Sequence, residues 1–164
     1  MLKQGIPAVS VEGFAQNRVG MSGETISAVR QALRKNVVPV LFGQMAFDGE
    51  KGAMPFSGDR KIALLATILK PKKIVFGTDV DGIFDEDPKK SKKAKLLERL
   101  QLKKLYGIVK KVGESRNDVS GGMKGKVLEL SRLSQTRIIV VNALKPKRFE
   151  KALLGEKTIG TIIE

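Results

Sequence analysis

The chain has 164 residues, of which 41% are hydrophobic, so it is long enough for one domain with a substantial core. It contains no cysteine and no histidine, which excludes a disulfide framework, a thiolate metal site and any mechanism in which this chain alone must supply an imidazole. The net charge of +14 permits nucleic-acid binding, but aromatic residues make up only 5% of the chain and offer few stacking surfaces, so we favour an enzyme of small polyanions.

Apolar and polar residues follow one another in a pattern that predicts alternating strands and helices. In chain order, the predicted elements are a strand at Ile6–Val11, a helix at Glu24–Lys35, a strand at Val37–Phe42, a hairpin over Gln44–Phe56, a helix from Ser57 to Leu69, a strand at Lys72–Gly77, a mostly helical segment at Leu96–Val112, a helix at Met123–Ser134, a strand at Arg137–Asn142, a short helix at Pro146–Leu154 and a strand at Ile159–Ile163. The run Val37–Phe42 is continuously apolar, which is typical of a strand buried on both faces. The pattern predicts an α/β fold with a mainly parallel sheet, in a single domain over residues 1–164.

The segment Ser120–Lys126 carries the clearest functional pattern. Gly121 and Gly122 stand just before an apolar-periodic helix, an arrangement that presents backbone N–H groups to an anion. Lys126 lies one turn further on, within reach of a phosphate held there. The segment is not a Walker A loop, because Val127 follows the lysine and a serine occupies the place of the first glycine. It predicts a phosphate-binding loop of another kind, with a plain turn and a solvated lysine as the alternative.

A second polar segment, Thr78-Asp79-Val80-Asp81-Gly82, follows a predicted strand. Ligands of open α/β sheets bind outside the carboxyl ends of the strands, so these side chains lie where a ligand is expected. The carboxylates of Asp79 and Asp81 could hold a metal ion, or Asp81 and Gly82 could form an Asx-turn. Asn142, at the end of another strand, could line the same pocket or form a turn.

The start of the helix after the predicted hairpin is a third candidate. Ser57 is a suitable N-cap, and Asp59 in the first turn is favourable to the helix dipole. Gly58 between them indicates close approach of a ligand, although a simple helix cap is the alternative.

In this order, the segments resemble the amino acid kinase superfamily, and within it the archaeal-type isopentenyl phosphate kinases. The residues that carry the resemblance are Gly5–Val9, Val38–Gly43, Phe56–Asp59, Thr78–Phe84 with Asp87-Pro88, Asp118–Lys126 and Gly160–Ile163. They cover nearly the whole chain. The resemblance implies a three-layer αβα sandwich with a mainly parallel central sheet, of which the N-terminal third is missing here.

The resemblance also implies an activity, the ATP-dependent phosphorylation of an organic monophosphate, above all isopentenyl phosphate. Mg²⁺ would be carried in by the nucleotide rather than held by the protein. Asp59 would organise the lysines around the transferred phosphoryl group and Lys126 would contact that group, so both are implied as catalytic. Gly58 would face the acceptor together with Asp59.

The residues that the resemblance assigns to the nucleotide come from two segments. They are Thr78, Asp79, Asp81 and Gly82 from the first segment and Gly121, Gly122 and Lys126 from the second. The turn at Asp87-Pro88 would lie near the adenine.

The chain departs from the family in two respects. The family opens with a lysine- and glycine-rich loop for the ATP phosphates, followed by a glycine pair and a histidine for the acceptor, and these are missing here. The family tends to have Gly-Asp after the strand that here leads to Gly43, whereas Gln44 stands there in this chain. Three alternatives stay open: an incomplete or non-catalytic nucleotide-binding module, a superfamily kinase with another acceptor such as UMP, and a nucleic-acid binder.

Expectations about assembly and location complete the prediction. A sheet without its leading strands exposes an edge, so we expect a homodimer or aggregation. No apolar run approaches the ~20 residues that span a bilayer, and no signal peptide opens the chain, so we expect a cytoplasmic protein.

Overall fold

The computed structural model describes residues 2–12, 20–50, 52–111, 133 and 136–164. These residues belong to two compact units, Met1–Ile68 and Leu69–Glu164. Apart from Leu133, the predicted helix Met123–Ser134 lies outside the described residues, as does the predicted loop before it. Among the described helices, none is both long and apolar enough to cross a bilayer.

The first unit contains two small sheets and two helices. Its elements are a 3₁₀ turn at Leu2–Gln4, β1 (Ala8–Ser10), α1 (Gly23–Arg34), β2 (Val38–Val40), β3 (Gln44–Asp48), β4 (Gly52–Phe56) and α2 (Gly58–Leu69). Strands β1 and β2 pair in parallel, and β3 and β4 form the predicted antiparallel hairpin. The α/β class, the hairpin and both helices of this part of the prediction are confirmed.

Helix α1 begins with a complete N-cap. Ser22 Oγ accepts a 3.2 Å hydrogen bond from the backbone N–H of Thr25, which satisfies one of the free donors of the first turn. The Thr25 hydroxyl donates to the carbonyl of Glu12 at 3.1 Å and so ties the helix to the segment after β1. Val29 and Ala32 lie on the buried face of the helix.

The prediction of a fully buried strand at Val37–Phe42 was wrong. Strand β2 is shorter, and the side chains of Val38 and Val40 are 37% and 39% exposed. Within the described part of this unit, β2 pairs only with β1, and its three side chains are exposed or half-buried. An apolar run therefore predicted the strand correctly but not its burial.

The second unit is built on a four-stranded sheet. Its elements are β5 (Lys73–Thr78), β6 (Arg99–Leu100), α3 (Leu102–Lys111), β7 (Arg137–Asn142), α4 (Pro146–Leu154) and β8 (Thr161–Ile163). The strand order is β5-β7-β8-β6, in which β5–β7 and β6–β8 are parallel and β7–β8 is antiparallel. The helix predicted from Leu96 begins only at Leu102, because β6 takes part of that segment into the sheet.

The core of the second unit centres on β7. Ile138 and Val140 are fully buried, as is Ile163 on β8, and each such side chain contributes about 1.5–3 kcal/mol to stability. Val141 faces α4, where it packs with Ala152 and the ring of Phe149. The sequence predicted this strand, and the structure shows it buried from Ile138 to Asn142.

Candidate functional site

The predicted phosphate-binding loop lies outside the described residues. Gly121, Gly122 and Lys126 all belong to this part of the chain. Their assignment to the nucleotide, and that of Lys126 to catalysis, stay predictions.

The segment Thr78–Gly82 begins at the carboxyl end of β5, next to the end of β7. Thr78 stands opposite Asn142 in the parallel register. The carbonyl of Thr78 accepts a 2.8 Å hydrogen bond from the N–H of Ala143, so the two strand ends continue as paired loops. This edge of the sheet is where the sequence predicted a ligand.

Asp81 is held by two donors from the neighbouring strand and helix. Its Oδ1 accepts hydrogen bonds of 2.9 Å from Asn142 Nδ2 and 2.6 Å from Arg148 Nη1. The bond from Asn142, and then the one from Arg148, lowers the pKa of the Asp81 carboxyl below its usual value. Asp81 therefore joins the loop after β5 to both β7 and α4.

Asn142 forms a turn as well as contacting Asp81. Its Oδ1 accepts a 2.9 Å hydrogen bond from the backbone N–H of Leu144, and its side-chain amide nitrogen is the donor to Asp81. The residue is 7% exposed. Of the two roles left open by the sequence, these contacts support the turn.

Asp79 forms an ion pair on the surface. The Thr78 hydroxyl donates to Asp79 Oδ1 at 3.3 Å, and the ammonium of Lys89 binds Asp79 Oδ2. The lysine is the main cause of a lowered pKa at Asp79 and has its own pKa raised in return. The predicted turn at Asp87 presents this lysine, because Asp87 Oδ1 accepts a 2.9 Å hydrogen bond from the Lys89 N–H.

Gly82 is required by packing. Its φ is +150°, and a Cβ atom there would lie 2.6 Å from Thr161 Oγ1 and 2.9 Å from Leu96 Cδ1. Thr161 is fully buried, and its hydroxyl accepts a 2.8 Å hydrogen bond from the N–H of Ile83. The loop thus turns tightly onto β8 at this glycine, and its contact with a nucleotide stays a prediction.

In this structure the carboxylates of this loop are contacted by nitrogen donors. Asp79 is paired with Lys89, and Asp81 with Asn142 and Arg148. Within the described ranges, no group of three or more carboxylates is gathered as metal ligands. Carboxylates with such partners are suited to hydrogen bonds from cations and amides rather than to the coordination of a divalent ion.

In the first unit, the start of α2 has the predicted cap. Ser57 Oγ accepts a 3.2 Å hydrogen bond from the N–H of Arg60. A Cβ atom at Gly43 would lie 3.4 Å from Gly58 N, so the segment between β2 and β3 runs directly against the helix start. Asp59 occupies the first turn. The cap is confirmed, and the assignment of Gly58 and Asp59 to the acceptor is untested.

The sequence analysis missed Lys61, which is only 1% exposed. Its ammonium donates to the carbonyl of Phe42 at 2.8 Å and to Gln44 Oε1 at 2.9 Å. Burial lowers its pKa. One signal could have found it, since Lys61 precedes Leu65 by four positions and so shares the buried face of α2.

Comparison with known proteins agrees with these motifs. The sequence profile of the Amino acid kinase family matches residues 1–142. The isopentenyl phosphate kinase of Methanothermobacter thermautotrophicus is 36% identical over 170 aligned positions, which take in 99% of this chain and 63% of that protein. The uridylate kinase of Thermofilum pendens is 28% identical, over 86% of this chain and 56% of its own length.

The fold agrees as well. A solved structure of an isopentenyl phosphate kinase superposes with a TM-score of 0.78 at 32% identity, and it matches 99% of this chain and 61% of its own. The chain therefore spans somewhat less than two thirds of the length of these relatives. The matched profile, the α/β architecture and the order of the motifs together show that this chain belongs to the amino acid kinase family.

Proposed function

We propose that this chain acts as an ATP-dependent kinase that phosphorylates isopentenyl phosphate to isopentenyl diphosphate. The carrying observation is the 36% identity to an isopentenyl phosphate kinase over 99% of this chain. The alternating strands and helices support the same proposal, as does the polar loop Thr78–Gly82 at the carboxyl end of β5, where α/β sheets bind ligands.

Phosphoryl transfer requires positioning and charge neutralisation more than covalent help. In the proposed reaction, the acceptor phosphate oxygen attacks the γ-phosphorus of ATP, and ADP leaves. Lys126 would neutralise charge on the transferred group, and Asp59 would orient the lysines around it. Gly121 and Gly122 would let the backbone approach the phosphates.

The described residues of the second unit contribute the loop Thr78–Gly82, which is hydrogen-bonded to β7 and α4 through Asp81. Thr78 and Asp79 would contact the nucleotide directly. Asp81 is bound by Asn142 and Arg148, so it would act on the nucleotide mainly by holding the loop. Gly82 would serve in the same way, through its contact with β8. Mg²⁺ would enter with ATP.

In the first unit, Gly58 and Asp59 would face the acceptor. Both residues lie in the first turn of α2, and the N-terminus of a helix favours an anion. We further propose that the protein works as a cytoplasmic homodimer, which light scattering coupled to gel filtration would test.

A coupled assay for ADP formation tests the proposal. We expect turnover with isopentenyl phosphate and at least about tenfold lower kcat/KM with UMP. A preference for UMP would replace the acceptor but keep the enzyme class. Absence of turnover with either acceptor would overturn the kinase proposal for this chain.

The second candidate is an incomplete or non-catalytic nucleotide-binding module. It is favoured by the share of its relatives that the chain spans, 63% in one case and 56% in another. Calorimetry with ATP separates the two, because the module would bind ATP and release no ADP.

A further inference from the structure

The buried ammonium of Lys61 has a place in the structure that the proposed chemistry does not use. The residue is 1% exposed, and within the described part of the chain its ammonium contacts two oxygens, one of a backbone carbonyl and one of a side-chain amide. Burying a charge without a carboxylate partner is unfavourable unless other groups solvate it. The surroundings of Lys61 supply such groups.

Two aromatic rings complete these surroundings. The Lys61 Nζ atom lies 5.1 Å from the centroid of the Phe56 ring and 5.7 Å from that of Phe42. Both distances fall within the range of a cation–π interaction. The ammonium therefore connects α2, to which Lys61 belongs, with the segment before β3 and with the end of β4.

The segment that Lys61 binds is the one that touches the start of α2. Phe42 and Gln44 flank Gly43, at which a Cβ atom would lie 3.4 Å from Gly58 N and 3.6 Å from Ser57 Cα. Lys61 thus holds both neighbours of the glycine that makes the close approach. Among the described contacts, the Lys61 ammonium supplies the only hydrogen bonds from α2 to the carbonyl of Phe42 and to Gln44 Oε1.

The ammonium also determines how the Gln44 amide is oriented. A lysine ammonium only donates hydrogen bonds, so the amide oxygen must face it and the amide nitrogen must face away. The 2.9 Å contact with Oε1 has this orientation. A carboxylate at position 44 would keep an oxygen for Lys61, whereas an alkyl side chain would not.

We propose that Lys61 is a positioning residue of the acceptor side: its buried ammonium holds the segment Phe42–Gln44 against the start of α2 and thereby fixes Gly58 and Asp59. This inference rests on the proposed function. It assigns no direct contact with substrate to Lys61. It predicts that the acceptor, and not the nucleotide, is affected when the ammonium is removed.

Four variants test the proposal in steady-state kinetics. Lys61→Met removes the ammonium from a side chain of similar length, and Gln44→Leu removes its amide partner. We expect either change to raise the KM for isopentenyl phosphate about tenfold, with the KM for ATP within about twofold of the parent. Gln44→Glu, which preserves the oxygen, should stay within about threefold. Lys35→Met removes an exposed charge from the same unit and should change neither constant.

A second measurement does not depend on activity. We expect amide hydrogen exchange at residues 42–44 and 58–59 to become about tenfold faster in Lys61→Met than in Lys35→Met. Unchanged exchange there, or an equal rise in both KM values, would overturn the positioning role. If the parent chain shows no turnover, the proposed kinase is lost while exchange still decides the role of Lys61. If Lys61→Met does not fold, the contrast between Gln44→Leu and Gln44→Glu decides it.

Discussion

Arg148 in the first turn of α4 donates a 2.6 Å hydrogen bond to Asp81, which lies 67 positions earlier in the chain. The contact connects the loop after β5 to a helix that contains no recognised motif. Because Thr78 and Asp79 precede Asp81 in the same loop, Arg148 and Asn142 together restrain the loop that contains two candidate nucleotide contacts. A residue outside every motif therefore supports the candidate site.

Removing Arg148 should weaken nucleotide binding. We expect Arg148→Met to lower the free energy of unfolding by about 1 kcal/mol, because a hydrogen bond to a charged group contributes ~1.5–3 kcal/mol when buried and less when exposed. The two side chains here are 27% and 38% exposed. ATP affinity should fall about fivefold by calorimetry. Lys147→Met removes an exposed charge from the same helix as the control, and equal effects of both changes would contradict the role of Arg148.

The ion pair of Asp81 should also appear in the pH dependence of stability. The folded pKa of Asp81 is lowered, so its contribution is fully present above the unfolded pKa of about 3.9 and is lost as the pH falls through the folded pKa. We expect the difference in unfolding free energy between the parent and Asp81→Asn to be constant from about pH 7 to 5 and to shrink below about pH 4. Urea unfolding at a series of pH values measures this difference.

The control for this titration is Glu150→Gln, which removes one exposed carboxylate from α4. Its unfolding free energy should follow that of the parent at every pH. A difference between parent and Asp81→Asn that does not shrink in acid would show that the ionised carboxylate contributes nothing to folding.

Local patterns were sufficient to predict several elements of the fold. The strand Arg137–Asn142 was predicted with the bounds that the structure has, because a continuous apolar run marks it in the sequence. The segment Gln44–Phe56 was predicted as a hairpin from its own residues, and Ser57 predicted the start of α2. Each of these signals lies within a few residues of the element that it specifies.

The contacts that build the candidate site were not predictable in the same way. The bonds of Lys61 cross 19 and 17 positions, and that of Arg148 crosses 67. A single sequence contains no local signal for such pairs, since folding brings them together. Strand β6 was missed for a related reason: its two residues are too few to show a period, and its pairing with β8 is what makes it a strand.

Alanine at Gly82 should destabilise the second unit. Its Cβ atom would lie 2.6 Å from Thr161 Oγ1, at a φ of +150° that side chains rarely adopt. We expect Gly82→Ala to lower the unfolding free energy by about 2 kcal/mol, measured by urea unfolding. Gly23→Ala is the matched control, because a Cβ there meets nothing within 4 Å and alanine favours α1 by up to about 1 kcal/mol. Similar stabilities of the two variants would contradict a packing requirement at Gly82.

Gly58 offers the opposite case, in which alanine should affect function without affecting stability. A Cβ atom at Gly58 meets nothing within 4 Å, so the protein itself does not require a glycine there. Alanine in the first turn of α2 should leave the unfolding free energy unchanged or raise it by a few tenths of a kcal/mol. If the acceptor approaches the backbone at this point, Gly58→Ala should raise the KM for isopentenyl phosphate about tenfold and leave the KM for ATP unchanged. Unaltered kinetics would show that Gly58 does not face the acceptor, because the added methyl group would then project into a space that no substrate enters.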